Sequence, residues 1–165
     1  MNKKALYIII FLIFQAMSNI AIAAIGDWKA YMAYSDVQEI EQAGNLIFVQ
    51  ASNDLYVYNK NDQSIQTFSK IDYLNDCEIQ HIAYNKASQR LLIIYTNGNI
   101  RLMNVNNYEE TNLSDYPNAT TTGDKTVNEI YKNGKYAYLS NWFGIVKLNM
   151  ANGEINATYN LGITV

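Results

Sequence analysis

Cys77 and His81 are the first pair in the sequence that could do chemistry, as the chain's one cysteine and one histidine. A thiol nucleophile needs an imidazole within hydrogen-bond reach. A spacing of four brings side chains together on a helix, but not on a strand, and the surrounding residues read as strand. Cys77 is therefore expected to be a small buried hydrophobe near a strand start. His81 is expected mid-strand, as a packed or rim residue, and one histidine does not make a metal site. A single cysteine also leaves no internal disulfide to staple the fold.

The carboxylates suggest no acid–base pair across a cleft. Glu39 and Glu41 share one face of a strand and read as solvated. Glu109 and Glu110 fall on an expected edge strand, where charge discourages aggregation. Asn59, Asn61 and Asp62 hint at a calcium loop but lack its glycine and terminal glutamate, so they read as a turn. Thr122-Gly123-Asp124-Lys125 lacks the spacing of a phosphate loop and reads as a connection between repeats. No catalytic residue, cofactor or metal ligand is expected. Trp28 and Trp142 stand out instead. Trp142 and Phe143 occupy a turn, where an aromatic pair either contacts a partner or sugar, or plugs against a neighbouring unit.

These residues must be positioned by strands. The chain has 165 residues, enough for one domain with an ordinary core. Tyr is unusually frequent, at 14 against 5 Phe and 2 Trp, which suits strands buried on one side and wet on the other. Met1 to Lys4 is a short basic stretch, Ala5 to Phe14 is apolar apart from Tyr7, and Ala21-Ile22-Ala23 fits a cleavage site. Residues 1–23 are thus expected to be a secretory signal peptide, with a mature chain over 24–165. The apolar run falls short of the ~20 residues that span a bilayer, so no membrane span is expected after cleavage. Losing Lys3 and Lys4 leaves ten basic residues against 15 acidic, a net charge of −5. No basic cluster interleaves with the aromatics, which argues against nucleic acid as a partner.

The mature sequence repeats itself. Segments from Val37 to Phe68, Ile79 to Thr111 and Val127 to Tyr159 align, with Ile40, Ile82 and Ile130 in one column and Asp54, Gly98 and Gly144 in another. Each divides into four short strands separated by Gly- and Asn-rich turns. The second strand of each is the most apolar (Leu46 to Val49, Leu91 to Tyr95, Tyr136 to Leu139) and is expected to be covered on both faces. The fourth is polar, as an outer edge should be. A period in the mid-forties with four strands per unit predicts blades. The expected fold is all-β: three four-stranded antiparallel blades of an incomplete β-propeller, at approximately 37–70, 79–113 and 127–161. Propellers usually close with four or more blades, so the chain reads as the front of a longer propeller or as half of a pairing.

Several stretches carry a family resemblance: IGDWKAYMAYSDVQEIEQAGN at the mature start, NDLYVYNKNDQSIQTFSKIDYLND, IAYNKASQRLLIIYTNGNI, and TGDKTVNEIYKNGKYAYLSNWFGIVKLN. They resemble the N-terminal propeller of PorZ-like proteins over nearly all of the mature chain. The resemblance implies a surface component of type IX secretion at the outer membrane of Gram-negative bacteria. It implies a non-enzymatic binding and scaffolding role in a complex that joins cargo to anionic lipopolysaccharide. Other secretion and attachment proteins, and lipopolysaccharide, are the partners it implies. Propellers of similar repeat length also serve as periplasmic glycan-sensing domains of hybrid two-component regulators, and that alternative stands beside the first.

Overall fold

A computed structural model of the protein describes residues 35–68, 78–113, 116 and 124–160. The expected signal peptide, Trp28, Cys77, Thr122 and Gly123 lie outside the described residues.

The described chain forms twelve strands in three antiparallel meanders, each hydrogen-bonded in sequence order. Blade 1 comprises β1 (Val37–Ala43), β2 (Leu46–Ala51), β3 (Asp54–Asn59) and β4 (Ile65–Phe68). Blade 2 comprises β5 (Ile79–Asn85), β6 (Arg90–Tyr95), β7 (Ile100–Asn104) and β8 (Glu110–Asn112). Blade 3 comprises β9 (Glu129–Asn133), β10 (Tyr136–Asn141), β11 (Gly144–Asn149) and β12 (Glu154–Asn160). Among the described residues the three sheets do not close into a ring.

Side chains alternate across each strand, so every blade presents two faces. Phe48, Leu55 and Val57 of blade 1 pack against Ile82, Leu91 and Ile93 of blade 2 in one apolar layer. Leu92, Ile94 and Leu102, on the other face of blade 2, pack against Ala137, Leu139 and Val146 of blade 3 in a second layer. Blade 2 is thus covered on both faces, and β6 is buried from Leu91 to Tyr95. The sequence expectation that every second strand is covered on both faces fails at β10. There Tyr136, Tyr138 and Ser140 alternate with buried Ala137, Leu139 and Asn141. The reason is positional, because among the described residues no fourth sheet lies on that face.

The turns repeat with the blades. Asn59, Asn104 and Asn149 each end a third strand and accept a hydrogen bond at Oδ1 from the amide two residues on, at 3.0, 3.0 and 3.1 Å. Asp62, Asn107 and Asn152 do the same for the start of the fourth strand. Asn59, Asn61 and Asp62 are therefore turn residues, as the sequence suggests. Asx turns of this kind replace backbone partners that a sharp turn cannot supply.

Candidate functional site

β1 lies against β5, and β5 in turn holds Val127, just ahead of β9. These strands form an inner rim where the titratable residues gather. Glu39, His81 and Glu129 occupy equivalent positions, opposite Gln50, Ile94 and Ser140 respectively.

Glu39 reaches from blade 1 to blade 2. Its carboxylate accepts the Ile82 amide at 2.7 Å and lies 2.5 Å from His81 Nδ1. His81 Nε2 in turn lies 3.0 Å from the Val127 carbonyl, where the chain enters blade 3. Gln80 grips the same residue, donating to the Val127 carbonyl at 2.9 Å and accepting from its amide at 3.4 Å. Gln50 is fully buried and donates to the Ile79 carbonyl at 2.6 Å. Lys132 of blade 3 donates to Glu41 of blade 1 at 2.5 Å. A cavity of about 310 Å³ beside these contacts is lined by Glu39, Glu41, His81, Asn128, Glu129 and Lys132.

Glu39 and Glu41 therefore do not stand free in solvent, as their sequence context suggested. They share a strand face, but that face meets the next blade, and each has a partner. Burial alone would raise the Glu39 carboxyl; the His81 and Ile82 hydrogen bonds, with the charges of His81 and Lys132, outweigh it and lower it. The hydrogen bond to Glu39 raises His81 against the opposing effect of burial. Glu110 also departs from expectation. It turns inward to pair with Arg101 at 2.8 Å, whereas Glu109 stays exposed just ahead of the strand. Burial raises the Glu110 carboxyl and Arg101 opposes that rise.

Trp142 and Phe143 lie in the β10–β11 turn. Trp142 is 40% exposed, while Phe143 packs against the layer between blades 2 and 3. Their rings meet edge to face at 6.1 Å. Asn141 anchors the turn, accepting the buried Tyr116 hydroxyl at 2.7 Å and donating to the Leu139 carbonyl at 3.1 Å. The Phe143 ring is thus packed and the Trp142 ring exposed. Asp124 and Lys125 belong to the connection between blades 2 and 3. Asp124 accepts the Thr126 amide and hydroxyl, and Lys125 packs over Gly98.

A groove of about 650 Å³ opens between the hairpins of blades 1 and 2, lined by Gln42, Asn45, Tyr84, Lys86, Gln89 and Asn106. The sequence reading did not single these residues out. They come from three separate hairpins, which only the packing of the two blades brings together. The inner-rim bridge was more accessible, since the repeat alignment already places Glu39, His81 and Glu129 in one column. Among the described residues, no group of three or more His, Cys, Asp or Glu side chains could hold a metal ion. No helix among them is long and apolar enough to cross a membrane.

Meandering four-stranded sheets, stacked face to face with their first strands at an inner rim, define blades of a β-propeller. The chain belongs to the family of PorZ N-terminal β-propeller domains of the type IX secretion system, whose family model matches residues 47–165. Among solved structures it is similar to PorZ of Porphyromonas gingivalis, an essential surface component of the type IX secretion system. Identity is 29% and the TM-score 0.73, over 81% of this chain and 18% of that one. The chain thus spans less than a fifth of that protein's length. Two structures from B. thetaiotaomicron share the fold. They are the extracellular domain of BT4673, described as a one component system (14% identity, TM-score 0.60, 81% of this chain and 18% of that one), and that of BT3049, described as a hybrid two component system (15%, 0.60, 78% and 19%). No curated protein matches the chain.

Proposed function

We propose that this propeller is a non-enzymatic binding and scaffolding element of a type IX secretion surface component, one that helps attach cargo to anionic lipopolysaccharide. The family match over residues 47–165 carries this reading. The inner rim supports it, because Glu39, Glu41 and His81 are engaged in joining blades. In this reading residues 1–23 are a signal peptide that exports the chain, and 24–165 form the surface-exposed propeller.

Two surfaces suit contact. Trp142 offers a rigid aromatic face on a well-anchored turn, the kind of residue that dominates interfaces. The groove between blades 1 and 2 combines carboxamides, an aromatic ring and one lysine. Such groups hydrogen-bond and stack on sugars, and Lys86 adds a cation for an anionic one. A mature charge of −5 makes non-specific attraction to an anionic surface unfavourable, so any such contact depends on local groups of this kind.

The sensor alternative draws on the likeness to the B. thetaiotaomicron domains, but identities of 14% and 15% speak to fold alone. Family membership favours secretion. Calorimetric titration of the full chain with purified anionic lipopolysaccharide tests the reading. Binding that weakens at least tenfold in Lys86→Ala or Trp142→Ala is expected. No binding to lipopolysaccharide, together with no capture of type IX components by the immobilised chain, would overturn it.

A further inference from the structure

We propose that His81 is a proton-dependent pin joining the inner strands of blades 1 and 2 to the segment that enters blade 3, closed when its ring carries both protons and opened when one is lost. The inference stands on the fold and does not depend on the secretion reading.

The geometry is that of two acceptors facing one ring. Nδ1 meets the Glu39 carboxylate at 2.5 Å, and Nε2 meets the Val127 carbonyl at 3.0 Å. A backbone carbonyl only accepts, and it accepts here from Gln80 as well. Glu39 is occupied on its other oxygen by the Ile82 amide. A neutral imidazole has one N–H and one lone pair. In either tautomer a lone pair would face a lone pair, at Glu39 or at Val127. Only a ring and carboxylate that together hold two protons satisfy both ends. Losing one proton breaks the ring's own hydrogen bond to blade 1 or its hydrogen bond to Val127, leaving the Ile82 and Gln80 hydrogen bonds to hold those contacts alone.

The charged groups around the ring come from two neighbouring elements. β1 supplies Glu39 and Glu41, and β9 supplies Glu129 and Lys132, all lining the same cavity. Lys132 is paired with Glu41, so its charge is locally offset. Glu39 favours the charged ring. Nothing charged faces it from β6, where its neighbour is Ile94. The sign follows from the raised His81 value. The stabilisation is complete below the ordinary imidazole value of about 6.5 and is lost as pH rises through the folded value. Glu39, held low, supplies its share above the ordinary carboxylate value of about 4.3 and loses it as pH falls through its own folded value. The pin is therefore tight in mildly acid conditions and loosens on the alkaline side.

His81 is the chain's one histidine, so its ring signals need no assignment. The full chain is titrated by NMR from mildly acid to mildly alkaline pH, following the His81 ring nitrogens and amide exchange at Ile82. The expected result is a doubly protonated ring with a transition clearly above about 6.5. Ile82 protection, corrected for intrinsic exchange, should fall roughly fivefold through the same transition, as loss of one hydrogen bond predicts. Glu39→Gln should bring the transition down to the ordinary value or below. His81→Gln should remove the pH dependence of Ile82 protection. A ring that titrates at or below the ordinary value in the unaltered chain overturns the pin, as does Ile82 protection that ignores the transition. Both readouts come from the unaltered chain, so they decide the matter even if a variant fails to fold.

Discussion

Single residues carry contacts that no neighbour can replace. Gly144 has φ +148°, and a Cβ there would lie 2.0 Å from the Tyr159 carbonyl oxygen. Backbone cannot yield as a flexible side chain would, so Gly144→Ala should cost at least about 2 kcal/mol in urea unfolding. Gly44, with φ +62° and open space around it, should cost only about 1 kcal/mol on the same change. Arg101 and Glu110 are paired with side-chain exposures of 7% and 11%. Arg101→Met leaves a carboxylate buried without its cation and should destabilise by roughly 3–5 kcal/mol. Adding Glu110→Leu should recover most of that loss, which a double-mutant cycle would measure. Burial holds the Glu110 carboxyl above its usual range, so this site loses stability as pH rises through its folded value. Glu110 was misread from sequence because an edge strand is solvated on average. The fixed alternation of β8 nonetheless turns this side chain toward Arg101.

At the scale of the strand and turn, much was legible. Gly/Asn turns between apolar runs located all twelve strands, and the column of Ile40, Ile82 and Ile130 located the first strand of each blade. The clearest signal was one the alignment passed over: Asn59, Asn104 and Asn149 stand 45 residues apart. Their side chains close the same turn in each blade. Asn104→Ala and Asn149→Ala should each cost about 1 kcal/mol, whereas Asp in place of Asn should be nearly neutral, because an Asp oxygen accepts equally well. Denaturant midpoints with unchanged m-values would check both. What local pattern cannot reveal is which strand meets an outer neighbour. β10 puts Tyr136, Tyr138 and Ser140 on one face, and that face is half exposed because coverage depends on what lies beyond it.

The described residues stack as three blades joined by two apolar inter-blade layers. On the open face of blade 3, Tyr131 is 64% exposed, Ile145 36% and Tyr159 50%. Lys147 lies over the Tyr136 ring at 4.1 Å and covers part of it. Tyr131→Ser with Ile145→Ser should change stability by no more than about 0.5 kcal/mol while reducing binding of a hydrophobic dye and any self-association. Unchanged dye binding would show that this face is not the chain's accessible apolar surface. The central claim is that the propeller serves secretion by contact and not by catalysis. It is tested most directly in the source bacterium, by measuring the fraction of cargo attached to the cell surface against that released into the medium. Trp142→Ala should move cargo from surface to medium, while Glu129→Gln should leave the partition and the cleavage of cargo unchanged. Loss of cargo cleavage in Glu129→Gln, with the protein still present at normal level, would contradict the account.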